Sequence, residues 1–391
     1  MSHSQPSLSR ILLGGIAAVM IVHGIGRFAY TPLLPLMVED GLSLQQAGWI
    51  ASSNYVGYLI GALFTVFYHG QREPWLRGAL LVNLLTTFAM PLTQQWESWA
   101  ILRLLSGISN GLVFVYASAF VFGHMAKAGR VALSGLLYAG VGAGIVLSGL
   151  VISVLPLLQG NWQLGWWLSG VACCLVLWPA WQLHEPNTPS SAHNQPHPRA
   201  GTNLIWVAMG YGCAGLGYIV SATFLPAIIR ATPGLEHVAA LSWIIVGIAA
   251  IPSSVCWSWL MQRIGELRAL LLAYALQAIG VIAPVWIGGL AGALLSAMLL
   301  GGTFLGIVVM AMAMARRHDP HGGSRTVGLL TSIYGLAQII GPLITASLTN
   351  RPDGMELSLI IAALSLGAGA LLLIKAEFNQ AKQRLFTRQL S

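Results

Sequence analysis

The sequence predicts an all-α membrane protein in which twelve transmembrane helices form two six-helix repeats. Three observations predict this fold: a composition too apolar for a water-soluble surface, twelve apolar segments of spanning length, and a motif pattern that recurs in the second half. Of the 391 residues, 56% are hydrophobic and only 8% are charged. Soluble domains carry about 25% charged residues, so this chain is expected to lie in lipid.

The apolar segments have the length that a bilayer requires. A hydrocarbon core of about 30 Å is crossed by roughly 20 helical residues. Continuous runs of this length argue against a β-barrel, whose spanning strands alternate over about ten residues. The predicted spans cover residues 11–37, 45–68, 77–94, 98–123, 131–157, 163–183, 202–229, 238–261, 268–289, 291–315, 326–349 and 356–374.

The basic residues predict which ends of the spans face the cytoplasm. Of the 19 Lys and Arg residues, fifteen fall at the termini or in even-numbered connections between spans. Only Arg230 and Arg351 fall in odd-numbered connections, while Arg27 and Arg103 lie within spans. Because cytoplasmic connections are enriched in Lys and Arg, we expect a multi-pass membrane protein with both termini in the cytoplasm.

A polar connection divides the chain near its middle. Residues 184–201 are rich in Pro, Ser and Asn, which is typical of a flexible linker. We therefore expect an N-terminal six-helix half at 1–183, a cytoplasmic linker, and a C-terminal half at 202–391 that ends in a short cytoplasmic tail. The linker also carries His184, His193 and His197. Without a rigid scaffold to place metal ligands, we prefer the solvated linker and expect neither a metal nor another cofactor.

The two halves share a motif pattern at a single displacement. In the first span the pattern reads Gly24, Gly26, Leu34 and Pro35, and 191 residues later (215 minus 24) it reads Gly215, Gly217, Leu225 and Pro226. The same displacement relates the loop residues Gln71, Arg72, Leu76 and Arg77 to Gln262, Arg263, Leu267 and Arg268. A shared offset across two separate motifs indicates an internal repeat, as in many secondary transporters. We interpret the repeated glycines and prolines as a mechanical element.

The repeat and its loop motifs resemble the major facilitator superfamily. Residues 71–77 and 262–268 are similar to the basic loop motif that this superfamily carries after spans two and eight. Gln71 and Gln262 stand in the place of the usual aspartate. The resemblance implies a gating role for the arginines of these loops, namely Arg72, Arg77, Arg263 and Arg268.

Further motifs extend the resemblance over nearly the whole chain. Arg103, followed by Gly107 and Gly111, is similar to the fourth-helix motif of the superfamily and implies a conformational role for Arg103. Glycines in span five are similar to an exporter motif, although its Gly-Pro pair is absent, and close helix packing is the simpler interpretation. Residues 24–37, GIGRFAYTPLLPLM, are similar to the signature of the YbfB/YjiJ branch, and this resemblance implies a protein of the bacterial inner membrane. The resemblance implies alternating access around a central site.

The charge in the first span is the leading candidate for substrate recognition. His23 and Arg27 are four residues apart and share a helix face, with Tyr30 and Thr31 near it. A charge at this depth usually faces a protein interior or a water-filled cavity. Arg27 and Arg103 are expected at comparable depth, where paired arginines would suit a carboxylate. Alternatively, Arg27 donates to carbonyls exposed by the glycines and prolines, and Arg103 snorkels to the interface.

Other polar residues within spans are candidates for the cavity wall. Apart from Glu356 at the first residue of the last span, no Asp or Glu falls in a predicted span, so His23 is the best-placed group for a coupling proton, and uncoupled facilitation stays open. In the repeat, Arg27 corresponds to Tyr218 and His23 to Ala214, so only the N-terminal half holds the charge. The further candidate binding residues are Asn54, Tyr211, Tyr218, Tyr334 and Gln338, with Tyr55 and Tyr58 beside them. A single polar residue on an apolar helix is more often an interhelical contact than a ligand.

These observations predict a secondary transporter for a small organic solute, with an anion favoured by Arg27. The first alternative is a broad-specificity exporter of hydrophobic compounds. A non-transporting sensor and a membrane-embedded enzyme rank lower, because no Walker loop, zinc-spaced His pair or intramembrane acid is present. The expected partners are the lipid bilayer and the solute. Nucleic acid is excluded because no continuous basic face is present, and we expect a monomer that is not an enzyme.

Overall fold

The computed structural model describes residues 7–68, 70–186, 202–318 and 323–390, in which all regular structure is helical. Within these ranges, twelve helices are long and apolar enough to cross a membrane, as predicted. We label them α1 to α12: Leu8–Glu39, Leu44–Phe67, Glu73–Leu92, Trp96–Lys127, Leu133–Leu158, Trp162–Trp181, Leu204–Arg230, Val238–Ile264, Glu266–Trp286, Gly289–His318, Gly328–Leu348 and Gly354–Lys382.

The predicted spans coincide with these helices except for a few residues at their ends. The largest difference is at α12, because the helix that contains it continues to Leu390, well past the predicted end of the span at 374. The apolar run stops at Lys375, but the residues that follow are mostly strong helix formers such as Ala, Lys, Gln and Leu. Most of the linker, including His193 and His197, lies outside the described residues. Among the described residues, no group of three metal-ligating side chains is present.

The first helix is not a regular α-helix along its whole length. Leu8–Val19 is α-helical, Met20–Arg27 is π-helical, and Tyr30–Glu39 is α-helical again. In a π-helix the amides bond carbonyls five residues back, and such turns are frequent at functional sites. Gly24 and Gly26 lie in the π-helical segment, whereas Pro35 lies in the α-helical part that follows it.

Ion pairs at one end of the bundle, which we call the Arg72 end, connect helices of the same half. Arg72, after α2, pairs with Glu185, after α6. Arg317, at the end of α10, pairs at 2.5 Å with both Glu266 and Glu377. Each of these pairs joins residues of the same half, so they stabilise the individual halves and do not connect one half to the other.

Two of the other loop arginines predicted to act in gating have local contacts, and the third is exposed. Arg77 pairs with Glu73 one helical turn away at 2.6 Å. The Arg263 guanidinium lies 5.2 Å from the centroid of the Trp259 ring, and Arg268 is exposed. These contacts are all local, so a gating role for these loops stays a prediction.

The opposite end, which we call the Glu39 end, carries a bond between the halves. Arg230, at the end of α7, donates to Glu39, at the end of α1, at 2.5 and 2.9 Å. Next to it, the Trp162 indole donates to Asp40 at 2.7 Å and connects α6 to α1 within the N-terminal half.

Glycines let the helices approach closely enough for backbones to touch. A Cβ atom on Gly24 would lie 2.5 Å from the Cα atom of Gly144 on α5. The equivalent residue of the repeat, Gly215 on α7, packs in the same way against Tyr334 on α11. Helix packing in membranes depends on such small residues, so the repeated glycines serve equivalent helix crossings in the two halves.

The glycines of α5 divide between two neighbouring helices. Gly140 and Gly144 face α1, whereas Gly142 and Gly149 face α8 of the other half. At that second contact, Gly142 lies against the backbone of Gly247. All four glycines are therefore used in helix packing, which is the interpretation preferred from the sequence.

Candidate functional site

The π-helical segment of α1 is held by polar side chains of α4. Arg103 donates through Nη1 to the carbonyl of Gly26 and through Nη2 to the carbonyl of Arg27, the latter at 2.7 Å. Asn110, two turns further along α4, donates to the carbonyl of Val22 at 2.8 Å. A buried carbonyl needs a donor, and inside a bilayer only protein groups can supply it. The side chains of α4 thus satisfy the irregular backbone of α1.

Arg103 is buried and bound to the backbone of α1. It is only 3% exposed, so the interpretation in which it snorkels to the interface is wrong. Both of its terminal nitrogens donate to carbonyls of α1, while its Nε has no hydrogen-bond partner. These contacts serve the backbone of α1 rather than a paired anion site with Arg27, and the conformational role of Arg103 stays a prediction.

Arg27 occupies the interface between the two halves. Its Nη2 donates to the Tyr218 hydroxyl on α7 at 3.0 Å, and its Nη1 lies 3.4 Å from Nε2 of His23. The side chain is 4% exposed, and Nε has no hydrogen-bond partner. Within the described ranges, no carboxylate forms an ion pair with this guanidinium. The carbonyls that were an alternative partner for Arg27 are instead bound by Arg103.

Aromatic rings surround the Arg27 guanidinium where a counter-ion would be expected. Its central carbon lies 4.7 Å from the ring centroid of Tyr55, 5.3 Å from that of Tyr58 and 5.4 Å from that of Phe28. Ring faces attract cations, most strongly when both are shielded from water. The rings therefore stabilise the charge partly, without neutralising it.

The C-terminal half contributes three tyrosines and a glutamine to the site. The Tyr218 hydroxyl also accepts a bond from Nε2 of Gln338 at 2.6 Å. The rings of Tyr211 and Tyr334 stack 4.2 Å apart with an angle of 13° between their planes, and Tyr334 lies nearly parallel to Tyr218. The sequence candidates Tyr211, Tyr218, Tyr334 and Gln338 thus form one connected group, which contacts Arg27 through the Tyr218 hydroxyl.

Two other candidates lie in the layer behind this site. The Tyr30 hydroxyl donates to the Ala47 carbonyl at 3.1 Å, and the Tyr30 ring packs against the Arg103 guanidinium. Asn54 donates through Nδ2 to the Arg103 carbonyl at 2.9 Å. The structure therefore gives both residues contacts that hold α1, α2 and α4 together, instead of placing them next to Arg27.

Three contacts at the interface join residues that occupy equivalent positions in the two halves. Each pair is separated by 191 residues, which is the displacement of the sequence repeat. The pairs are Arg27 with Tyr218 at 3.0 Å, Thr31 with Ala222 at 2.8 Å, and Glu39 with Arg230 at 2.5 Å. Two residues related by a two-fold rotation touch only where the axis passes between them. The pseudo-two-fold axis of the repeat therefore runs between α1 and α7 and passes beside Arg27.

A small apolar cavity lies beside Tyr218. Its volume is about 10 Å³, which is room for roughly one water molecule. Both halves line it, through Phe28, Ile145, Tyr218, Ala222, Trp243, Val246, Leu300 and Phe304.

Sequence reasoning did not single out several residues around the site. Ser106 and Asn110 follow Arg103 at helical spacing on α4, so this polar face was a usable signal. In contrast, Phe28, Trp243 and Phe304 are apolar residues in apolar spans. Nothing in the sequence distinguishes them from residues that face lipid.

The fold and the site define a membrane transporter of the major facilitator type. A family described as "Uncharacterised MFS-type transporter YbfB" matches residues 19–374. The chain belongs to this family.

Similar proteins agree with this assignment. The MFS-type transporter YcaD of Escherichia coli strain K12 is 24% identical over 386 residues, which cover 93% of this chain and 94% of YcaD. YcaD of Salmonella newport is 24% identical over 356 residues, with 85% and 87% covered. A crystal structure of a mutant of the nucleoside transporter NupG superposes with a TM-score of 0.72 at 11% identity and covers 94% of this chain and 99% of NupG.

Proposed function

We propose that the protein is a secondary transporter that moves a small organic anion across the bacterial inner membrane by alternating access. Arg27 is the group that binds the anion in this proposal. The observation that carries the proposal is a guanidinium buried between the halves, with an unpartnered Nε and no carboxylate partner among the described residues. The two halves of one chain complete the site, so the monomer is the proposed working unit.

The energetics of a buried charge support this proposal. A charge removed from water is destabilising unless another charge or strong hydrogen bonds compensate it. The tyrosine hydroxyl and ring faces around Arg27 supply part of that compensation, and an anionic solute would supply the rest with charge-assisted hydrogen bonds. Because Arg27 lies beside the pseudo-two-fold axis, rocking of the halves would expose it to either side in turn. The Lys and Arg distribution supports a cytoplasmic position for the Arg72 end.

The first test is the efflux of a defined solute pool from proteoliposomes. The vesicles contain benzoate, lactate, succinate, uridine, glucose and choline, and efflux is followed by mass spectrometry. We expect wild-type protein to release at least one anion, and Arg27→Gln to release it about 10- to 100-fold more slowly. This range corresponds to the loss of a charged hydrogen bond of about 1.5–3 kcal/mol.

Two controls separate anion recognition from folding. Arg27→Gln must elute as a single species with a melting temperature close to that of the wild type. Arg351→Gln changes an exposed arginine and should transport normally. If wild-type protein releases nothing, or releases only neutral or cationic solutes, the proposal is wrong. Transport of a hydrophobic dye that is undiminished in Arg27→Gln, measured in a parallel assay, would favour the exporter alternative.

The proposal assigns a coupling proton to His23. Its Nε2 faces Arg27 and its Nδ1 has no partner, so an anion that engages Arg27 leaves the imidazole free to take a proton. We expect an imposed pH gradient to accelerate anion uptake by wild-type proteoliposomes several-fold, and His23→Gln to lose that acceleration while still catalysing counterflow. Equal acceleration in both proteins would show that the proton is carried elsewhere.

A further inference from the structure

We infer that the transported anion carries a single negative charge on a planar aromatic body. Its carboxylate would meet Arg27, and its ring would enter the apolar cavity beside Tyr218. This inference rests on the proposed function and adds the charge and shape of the substrate. It is drawn from the number of available cations and from the residues that line the cavity.

The charge follows from the two buried arginines of the described spans. In both, Nε has no hydrogen-bond partner. The terminal nitrogens of Arg103 donate to backbone carbonyls of α1, whereas those of Arg27 contact side chains, the Tyr218 hydroxyl at 3.0 Å and His23 at 3.4 Å. A solute can replace side-chain contacts without disturbing the helix backbone, so one carboxylate is assigned to Arg27. A second negative charge would be buried without a partner, which is strongly unfavourable.

The shape follows from the cavity. Four of its eight lining residues are aromatic: Phe28, Tyr218, Trp243 and Phe304. The Tyr218 and Phe304 rings lie 5.6 Å apart and are parallel within 7°, while Phe28 meets Trp243 and Phe304 edge-on at 6.0 and 6.4 Å. Aromatic pairs prefer these stacked and edge-to-face arrangements. An aromatic ring in this cavity could therefore stack on one lining ring and meet another edge-on. A puckered aliphatic ring has no flat face and would make weaker contacts of both kinds.

The positions of the charge and the ring are adjacent. The Tyr218 hydroxyl accepts a hydrogen bond from Arg27, and Tyr218 also lines the cavity. Phe28 also lines the cavity and lies 5.4 Å from the Arg27 guanidinium. This arrangement suits a carboxylate attached directly to a ring, or one carbon away from it, better than a carboxylate at the end of a long flexible chain.

In this conformation the cavity is too small for such a ring. It holds about 10 Å³, and an aromatic ring needs a cavity on the order of 150 Å³. Phe28 and Ile145 come from the N-terminal half and the other lining residues from the C-terminal half. Separation of the halves would therefore widen the cavity, so the ring would enter and leave during the transport cycle.

Four matched probes test the inference by their binding to the purified protein in detergent. They are benzoate (planar, one charge), cyclohexanecarboxylate (puckered, one charge), isophthalate (planar, two charges) and benzamide (planar, neutral). Affinity is obtained from the rise of the melting temperature with probe concentration. We expect benzoate to bind about 10-fold more tightly than each of the other three, and 2-naphthoate and nicotinate to compete with it.

Two substitutions at phenylalanine locate the ring. Phe304→Leu removes a cavity wall and should abolish the preference for benzoate over cyclohexanecarboxylate. Phe378→Leu is the matched control, because Phe378 is 70% exposed on α12, and it should keep the preference. Retention of the preference in Phe304→Leu would show that the ring binds elsewhere and would overturn the assignment to this cavity.

The outcomes separate this inference from the proposed function. If cyclohexanecarboxylate or isophthalate binds as tightly as benzoate and Arg27→Gln abolishes that binding, the anion site stands and the inference is wrong. If benzamide binds best and Arg27→Gln binds it normally, both are wrong. A failure of all planar monoanions to raise the melting temperature also overturns the inference.

Discussion

Replacing Arg103 by leucine is expected to abolish transport and to lower the melting temperature of the purified protein by many degrees. The substitution leaves the buried carbonyl of Arg27 without its side-chain donor, and it leaves the carbonyl of Gly26 with only the 3.3 Å bond from the Ser106 hydroxyl. An unsatisfied buried group costs about 1–3 kcal/mol, so the loss is at least of this size. That is a substantial part of the 5–15 kcal/mol by which folded proteins are typically stable.

The conservative substitution Arg103→Lys distinguishes a positioning role from a purely structural one. A lysine ammonium is a compact point charge and cannot form the planar two-nitrogen contact of a guanidinium. We expect Arg103→Lys to fold with a modestly lowered melting temperature but to bind benzoate at least several-fold more weakly, because the π-helical segment that carries Arg27 loses its support.

Arg351→Leu is the control, since Arg351 is exposed at a connection between helices. Benzoate affinity and melting temperature should both stay near the wild-type values in this variant. If Arg103→Lys binds benzoate normally, Arg103 supports the fold alone and does not position Arg27.

The second large effect is expected from a covalent link across the halves at the Glu39 end. Cysteines replace Glu39 and Arg230, the native cysteines are replaced by serine, and a short bifunctional thiol reagent that forms reducible bonds joins the pair. Because the link prevents the halves from separating at this end, transport should fall to background, and a reducing agent should restore it.

A second cysteine pair provides a matched control at the same end. Asp40 and Trp162 are in contact at 2.7 Å but belong to one half. A link between cysteines at these positions should leave transport largely unchanged. If transport stops in both cross-linked proteins, the reagent inhibits transport by some means other than preventing the separation of the halves. Continued transport in the linked Glu39–Arg230 protein would show that this contact need not open.

The ion pair itself is suited to repeated opening. The side chain of Glu39 is 55% exposed and that of Arg230 31% exposed, and exposed pairs are worth only about 0–1 kcal/mol. Single neutralising substitutions here should therefore have small effects. The contact stabilises the closed Glu39 end only weakly, so a ligand can shift the balance between closed and open states.

Much of the fold could be predicted because the bilayer imposes simple rules. Spanning helices need length and apolarity, and both are visible in the sequence. The repeat was also informative: the displacement found in the motifs at Gly24 and Gln71 is the separation of the residues that meet on the pseudo-two-fold axis. The C-terminal end of the last helix was less predictable, because residues with high helix propensity follow the end of the apolar run.

The site was predictable in part. Buried charge is costly in lipid, so Arg27 was conspicuous, and its neighbours Tyr218, Tyr334 and Gln338 were among the candidates. The role of Arg103 depends on the register of the π-helical segment, which leaves the carbonyls of Gly26 and Arg27 within its reach. That register results from contacts between helices and has no local signature in sequence. The aromatic cavity was hidden for a similar reason, because Phe304 differs from a lipid-facing phenylalanine only in its neighbours.

The contacts on the pseudo-two-fold axis also bear on how such a chain could have arisen. In a dimer of identical halves, a residue on the axis faces its own copy, so an arginine at position 27 would meet another arginine and a glutamate at 39 another glutamate. Like charges would then repel across the interface. Duplication within one gene removes this restriction, because each copy can change alone. The pairs Arg27–Tyr218 and Glu39–Arg230 are of this kind: an arginine that faces a tyrosine and a complementary ion pair, neither of which two identical subunits could form on their axis.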